Sequence, residues 1–587
     1  MKRLWGIISV VLLVGLVLVG CGKKPAANKE VEKIDPDSLP IAVSNKEKDV
    51  SDGTLDIAMV MDSPFQGLFS TEFSSDDYDA QFLRFTGNEM FSSDENFSVT
   101  DDGAATLKLD IDNKTATITI KDGVTWSDGE AVKAEDIIYP YEIIASKDYT
   151  GIRYDTNFMN VVGIEDYHNG KADTISGIKE IDDKTVEISY QKMTPSMRQV
   201  GDAIWENIAP KHALKDIPIK DLESSDPVRK NPLSYGPYVI SKVTPGESVE
   251  YQPNKFYFGN KPKLAKIVVT AVPSASIVEA LKTKKYDIAM KMPTATFPTY
   301  KDVEGYEILG REDLSYTYLG FKMGKWDQDK GHVVFDAKSK MADVNLRKAI
   351  GYAMDNQSVA DRFYNGLRSH GTTLIPPIFG KLHNEKIEGY IYDPEKSKTL
   401  LEEAGYKDVD GDGYVESPDG KELIINFASM SGGETAQPIA DFQIQNWKDV
   451  GLHVELTTGR LIEFQSFYDK LKQDDPEVDM YAGAWALSSN PDPMSLYGPD
   501  ALFNYSRYES KENDQALADI GSLESFDEAH QKEVYDKWQQ FTFDDPFTIP
   551  THYRYEVLPV SKRVTGLDWS RGTYQMWANV GVSSETR

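Results

Sequence analysis

Asp393-Pro-Glu-Lys-Ser-Lys-Thr-Leu-Leu-Glu-Glu-Ala-Gly405 carries both ends of one helix in its own residues. Asp393 caps the first turn, Pro394 suits the first helical position, where no backbone N–H is needed, and Gly405 supplies a stop just past the end. Leu400, Leu401 and Ala404 form the apolar face. Outward from this helix, residues 423–429 read as a strand, 437–450 as a helix stopped by Gly451, and 452–457 and 478–484 as strands. Upstream, Leu346, Ala349, Ile350, Ala353 and Met354 recur at helical spacing behind a capping Asp343. Further strand-like runs occupy residues 55–61, 106–111, 116–121, 185–191, 266–272, 286–290 and 316–322. Strands alternating with helices predict α/β domains on parallel or mixed sheets. The chain has 587 residues, too many for one core, because single cores stop growing near about 250–300 residues.

The formal charge is −30, with 64 basic and 94 acidic residues. That balance repels phosphate backbones and excludes a nucleic-acid partner. The single cysteine, Cys21, rules out internal disulfides and thiolate metal clusters. It ends a basic Met1-Lys2-Arg3 start and an apolar run from Leu4 to Gly20, the layout of a secretory signal. Leu18-Val19-Gly20-Cys21 resembles the lipobox of bacterial lipoproteins, which implies cleavage after residue 20 and a diacylglyceryl group on the Cys21 thiol. More than one acyl chain is what stable anchoring requires. Loss of residues 1–20 removes Lys2 and Arg3 and takes the charge to −32. Residues 21–51, polar and lacking a sustained apolar period, are expected to be a flexible tether, with the fold proper starting near Leu55.

Signs of catalysis are few. The eight histidines show no His-Glu-x-x-His spacing, and neither a Gly-x-Ser-x-Gly elbow nor a phosphate-binding glycine loop occurs. Ser-x-x-Lys at Ser176–Lys179 and Ser189–Lys192 accompanies charged strand-like segments and no Lys-Thr-Gly. A hydrolase carboxylate pair is spatial and is not revealed by a linear reading. No catalytic residue and no cofactor is assigned. Asp408, Asp410 and Asp412, followed by Gly413, have the spacing of the first half of a calcium loop, with Asp419 at the twelfth position in place of the usual glutamate. The competing reading is an Asp/Gly turn between helix and strand.

Several segments in order resemble the bacterial extracellular solute-binding proteins of family 5, the oligopeptide and dipeptide carriers of ABC importers. They are Lys121-Asp-Gly-Val-Thr-Trp-Ser-Asp-Gly-Glu-Ala-Val-Lys-Ala-Glu-Asp-Ile-Ile138; Asn231-Pro-Leu-Ser-Tyr-Gly-Pro-Tyr238 with Asn254-Lys-Phe-Tyr257 and Gly259-Asn-Lys-Pro262; Leu346-Arg-Lys-Ala-Ile-Gly-Tyr-Ala-Met-Asp355; Tyr392-Asp-Pro-Glu-Lys396 with Leu400 to Tyr406; and Gln445 to Gly451 with Trp485 to Pro493. The resemblance implies an α/β clamshell of the periplasmic-binding-protein type II, with two lobes and an extra subdomain. Lobe I is expected over 52–65, 176–312 and 551–587, the subdomain over 66–175, and lobe II over 313–550.

The same resemblance implies ligand contacts at Trp485, Ser488, Asn490 and Asp492, in a loop where peptide carriers hold an aspartate for the peptide's α-ammonium. Ser488 stands about where that acid belongs, and Asp492 lies four residues on. Pro64, Phe65, Ser431, Gly432 and Gly433, in loops after predicted strands, are expected at the cleft, because ligands sit at the carboxyl ends of strands in such sheets. The implied protein is a non-enzymatic, monomeric lipoprotein on the outer face of a Gram-positive cell membrane. It would capture oligopeptides for ABC permease subunits. Oligosaccharide or another solute as cargo, a peptide-pheromone receptor, and a surface hydrolase are the alternatives.

Overall fold

The computed structural model describes residues 34–587 apart from 75–76, 88, 202 and 573–575. Cys21, the apolar run before it and residues 22–33 lie outside the described residues. The body begins earlier than residue 55. Val43 is buried with Leu55 and Ile57, its N–H donates to the Leu567 carbonyl at 3.0 Å, and the Val50 N–H donates to Val582 at 2.8 Å. Residues 34–50 are therefore part of the fold and not tether. Their few apolar side chains have no period, and they dock through backbone hydrogen bonds that composition does not announce.

Strand β1 (Gly53–Val60) opens lobe I. A separate antiparallel sheet follows, formed by β2 (Ala105–Asp110), β3 (Thr115–Ile120), β4 (Ile178–Asp182) and β5 (Thr185–Ser189) in the order β2-β3-β5-β4. It runs past residue 175, where the extra subdomain was expected to end. Its core holds the first motif: Trp126 is 1% exposed, and its indole N–H donates to Asp136 at 2.9 Å. The same carboxylate accepts the Lys133 and Lys211 N–H groups at 3.0 and 2.9 Å. One buried acid thus closes the loop and caps the helix Ala134–Ile144.

The chain returns through β6 (Tyr238–Thr244), β7 (Ser248–Pro253), β8 (Leu264–Val272), α1 (Ser274–Lys282) and β9 (Ile288–Met290). Then β10 (Tyr306–Phe321) runs 16 residues out of lobe I. Lobe II adds α2 (Val344–Tyr352), α3 (Asn356–Tyr364), β11 (Arg368–His370), α4 (Pro394–Glu403), β12 (Ile424–Ala428), α5 (Ala436–Asp449), β13 (His453–Leu456), β14 (Met480–Ala486) and α6 (Glu528–Asp544). Finally β15 (Thr548–Ser561) runs back, 14 residues long. One ladder links the two lobes in the order β13-β12-β14-β10-β15-β9-β1-β8-β7-β6, with β11 beside β15.

Strand directions fix where a ligand can sit. In lobe I, β1 is parallel to β8 and β9, and β10 shares their direction because both β9 and β10 are antiparallel to β15. In lobe II, β12, β13 and β14 are mutually parallel, and β14 is antiparallel to β10. The carboxyl ends of the two parallel sets therefore face each other along β10. They meet where the β10–β15 register slips between Glu312 and Tyr316, and β14 ends at Ala486 opposite Ser315. A bulge in two otherwise continuous strands is a natural hinge.

Each lobe has its own core, one built on Leu55, Ile57 and Val269 and the other on Leu346, Phe427 and Trp447. Under lobe I, Asp287 is fully buried and accepts Arg563 through both oxygens at 2.7 and 2.8 Å, with Arg587 donating at 2.9 Å. Replacing Asp287 with Ala would leave Arg563 buried without its counter-charge, at a cost of about 3–5 kcal/mol. Urea unfolding is expected to show that loss, and a midpoint within error of the parent would contradict it.

Candidate functional site

Five loops converge on the facing carboxyl edges. From lobe I come residues 61–65 after β1 and Pro273 after β8, tied together by Asp62, whose carboxylate accepts the Ser274 N–H at 2.9 Å and hydroxyl at 2.8 Å. Pro64 is exposed at this edge. Phe65 is not: its ring is 5% exposed and packs 4.5 Å from Phe82 in the lobe I core. The sequence-based expectation of a cleft-lining Phe65 side chain is corrected, because the turn after β1 sends the largest apolar group inward and leaves only its backbone near the edge.

From lobe II come the loops after β12, β13 and β14. Met430 bridges Ile462 in parallel, and the Ser431 N–H donates to the Ile462 carbonyl at 2.7 Å. Gly432 and Gly433 are exposed, with φ of 150° and 65° and open space where a Cβ would stand. Glycine's freedom at positive φ puts bare backbone there.

After β14, the Leu487 N–H donates to Leu314 at the hinge at 2.7 Å. Ser488 Oγ then accepts the Asn490 N–H at 3.2 Å, Asn490 Oδ1 the Asp492 N–H at 2.9 Å, and Asp492 Oδ1 the Met494 N–H at 2.9 Å. Three predicted ligand residues thus shape their own loop. The Asp492 carboxylate is half-buried, and desolvation pushes its pKa up to about 6 against that one hydrogen bond. Among the described residues it has no cationic partner. It lies close enough to Tyr535 for its charge to help hold that phenol protonated.

Trp485 occupies the end of β14. Tyr318 and Tyr505 lie nearly parallel to it, with ring centres at 5.7 and 5.6 Å, and Phe503 meets it edge-on at 5.6 Å. Behind this wall, the Lys322 ammonium donates to the Tyr505 carbonyl at 3.2 Å and to Asp474. Arg507 Nε donates to the same carboxylate at 2.8 Å. Burial, with Arg507 nearby, pushes the Lys322 pKa down to about 8. Sequence reading missed Tyr505, Phe503 and this triad, because 152 and more residues of chain separate Tyr318 and Lys322 from the rings and charges they meet.

The lobes touch. A Cβ on Gly201, whose φ is 109°, would lie 2.7 Å from the Asn490 nitrogen. Arg198 donates to the Phe526 carbonyl at 3.1 Å and sits 4.7 Å from its ring centre, and the rings of Phe97 and Phe379 are 5.9 Å apart. Lobe I and its subdomain are thus closed onto lobe II. A separate recess of about 410 Å³, lined by Tyr352, Tyr392, Lys396 and Phe543, includes none of the sequence-predicted ligand residues.

The calcium reading is revised. Asp408, Asp410 and Glu416 bring carboxylate oxygens within 4.8 Å of one another. Asp412 instead accepts the Tyr414 N–H at 2.8 Å. Asp419 turns to Lys421 and Ser417, at 2.5 and 2.7 Å, and these hold its carboxyl down at about 2. Strand β12 follows where a calcium-binding helix pair would need a helix. Asp408 also closes the turn, accepting the N–H groups of Gly411 and Gly413 at 2.7 and 3.0 Å.

Two lobes joined by a pair of crossing strands, with the carboxyl ends of their parallel strands facing each other, have the architecture of a type II solute-binding protein. The chain belongs to the bacterial extracellular solute-binding proteins, family 5, whose model for the middle region matches residues 99–505. The oligopeptide-binding protein OppA of Lactococcus lactis subsp. cremoris (strain SK11) is 35% identical over 588 residues, spanning 98% of this chain and 97% of its own. AppA of Bacillus subtilis (strain 168), also an oligopeptide-binding protein, is 24% identical over 551 residues, 92% of each chain. Among solved structures, lactococcal OppA complexed with an endogenous peptide in the closed conformation matches with a TM-score of 0.84 at 36% identity, over 90% of this chain and 100% of that one. The Bacillus subtilis AppA complex with a nonapeptide has a TM-score of 0.72 at 20% identity, over 92% and 100%, a likeness of fold.

Gly201→Val should hold lobe I off the 487–493 loop, since overpacking a close contact costs about 1–3 kcal/mol. Small-angle scattering is expected to show a larger radius of gyration than the parent, and superimposable profiles would refute the contact's role in closure.

Proposed function

We propose that this chain is the binding component of an ABC importer, capturing oligopeptides outside the cell and delivering them to a membrane permease without chemical change. The observation that carries the reading is the match, along nearly the whole chain, to a relative closed around a peptide, in a molecule that presents open backbone at Gly432-Gly433 on its cleft edge. Extended peptides are recognised through main-chain groups, which tolerate many sequences. A saccharide cargo fits less well, because three rings already pack on Trp485 and it serves as a wall, not an open stacking platform.

In this reading lobe I comprises 52–65, 190–312 and 551–587 together with the docked residues 34–50. Lobe II is 313–550, and the extra subdomain extends from 66 to the end of β5. Trp485, Ser488, Asn490, Pro64 and the Ser431–Gly433 loop border the ligand, and Asp492 takes its α-ammonium. Cys21 carries the lipid that holds a monomer at the outer face of a Gram-positive membrane. The intact mass of the membrane-extracted chain tests that anchor, since it should begin at Cys21 with a diacylglyceryl adduct. Native mass spectrometry of residues 22–587 after exposure to pooled peptides and oligosaccharides tests the cargo: one peptide per chain is expected, and hexose-spaced adducts alone would overturn it.

The acid gives a pH signature. Asp492 is raised to about 6 in the free protein, so above that pH it is charged and desolvated, and an ammonium relieves that cost. Below it the carboxyl is protonated and the partner is lost. Affinity for a peptide with a free N-terminus should therefore be highest above pH 6 and fall by up to about tenfold per pH unit beneath it. An N-acetylated peptide, or Asp492→Asn, should give a flat profile, and calorimetry showing the same slope for both peptides would remove Asp492 from the role.

A further inference from the structure

Residues 94–98 form the turn of a hairpin that pairs Ser92-Ser93 with Val99-Thr100. The Phe97 N–H donates to the Asp94 carbonyl at 3.1 Å and the Asp94 N–H to the Ser98 carbonyl at 3.0 Å, while Asp94 Oδ1 accepts the N–H groups of Asn96 and Ser98, each at 2.9 Å. This geometry puts residue 97 in the left-handed region, with a φ of 64°. Glycine is the residue for that position, and a bulky side chain there is an outlier. Asp94 obeys the local rules of such a turn and Phe97 breaks them. Its ring is also not placed as a turn residue's would be. Glu95 and Asn96 are exposed at the tip, whereas Phe97 is 5% exposed and buried among the core residues of lobe II.

The hairpin itself belongs to the subdomain. Met90 and Phe91 lead into it from the core that holds Trp126, the Ala105 N–H donates to the Met90 carbonyl at 2.9 Å, and Ser98 bridges Gln199. The ring it meets, Phe379, belongs to lobe II. That segment is tied to α6 by Thr373 Oγ1, which donates to Gln539 at 2.8 Å, and by Gln539 Nε2, which donates to the Leu382 carbonyl at 2.8 Å. The two rings lie 5.9 Å apart. Val200, whose N–H donates to the Phe97 carbonyl at 2.9 Å, packs against both cores. Among the described residues no hydrogen bond joins 92–100 to 377–382. The junction is side-chain contact alone, so parting the lobes breaks no ladder and uncovers the ring.

We propose that Phe97 is a latch between the subdomain and lobe II, kept at a left-handed position that disfavours its side chain because the ring is buried when the lobes are closed. In the closed molecule burial of the ring offsets the backbone strain. In the open molecule the strain stays and the burial is lost, so the ring favours closure before any ligand arrives. The inference rests on the two-lobed fold and not on what the cleft holds.

Removing the ring should act in opposite directions on the turn and on closure. Phe97→Gly suits the left-handed backbone and deletes the ring, and Phe97→Asn deletes it with a side chain that tolerates that region. The measurement uses the full chain without ligand, with Cys21→Ser and nitroxide labels at Lys282→Cys in lobe I and Glu455→Cys in lobe II, and sets inter-lobe distances beside urea unfolding. In both variants the ratio of open to closed distances is expected to rise about tenfold, the scale of uncovering one large apolar side chain, while the urea midpoint stays within error of the parent's or above it. Phe379→Ala should open the lobes to the same degree, and adding Phe97→Gly to it should open them no further. An unchanged distance distribution in Phe97→Gly would overturn the proposal, as would additive opening in the pair. A midpoint lowered in both Phe97 variants would overturn it too, since Phe97 would then be an ordinary core residue. Because no ligand is present, a failure here leaves the peptide reading intact, and failure of peptide binding leaves this result standing.

Discussion

The antiparallel pairing of β10 with β15 is the constraint on which the rest depends. Both strands belong to both lobes, so their directions decide how every other strand runs relative to the hinge. The parallel strands of lobe I point along β10, and those of lobe II point back against it. Two sets of carboxyl ends are thereby aimed at one another across the slip at Glu312–Tyr316. The cleft is thus a geometric result of two strands crossing once each way.

The site shows how little of its surface is spent on chemistry. Ser488, Asn490 and Asp492 use their polar atoms first on their own backbone, and Trp485 is occupied by three aromatic neighbours. Among the described residues, what these groups leave uncommitted is main chain at Gly432-Gly433 and one carboxylate oxygen of Asp492. A carrier that must release its cargo to a permease has reason to avoid many strong side-chain contacts, since each buried charged pair slows dissociation. Rigidity comes instead from behind the wall, where Lys322, Asp474 and Arg507 stitch the end of β10 to the Tyr505 loop.

Much of the framework was legible because its signals are local. Asp393 does cap α4 by accepting the Lys396 N–H at 2.9 Å, and Asp343 caps α2 through Asn345 at 2.8 Å. The predicted strand at 423–429 and helix at 437–450 differ from β12 and α5 by about one residue at their ends. The crossing strands were harder. Only residues 316–322 of β10 carry a strand pattern, since Arg311, Glu312 and Asp313 interrupt the other half. β15 holds Pro550 and Pro559, which argue against a central strand, yet Pro550 sits opposite Tyr318, beside a second register slip. The docking of residues 34–50 depends on partners hundreds of residues away, and the inward turn of Phe65 on a ring 17 residues further along that no periodic pattern links to it.

Because β15 supplies core residues to both lobes, with Ile549 in one and Leu558 and Val560 in the other, neither lobe is complete until residues 548–587 are present. In vectorial synthesis and export the N-terminal part emerges first, and the central strand of the shared ladder arrives last. The order of assembly is thus set by topology: lobe I strands β1, β8 and β9 must wait, with a sheet edge unpaired, for a strand from the end of the chain. Such edges are where chains of this size aggregate. A molecule built to open and close about two long strands is for that reason also one that folds late, and depends on being held apart from its neighbours until its C-terminus is free.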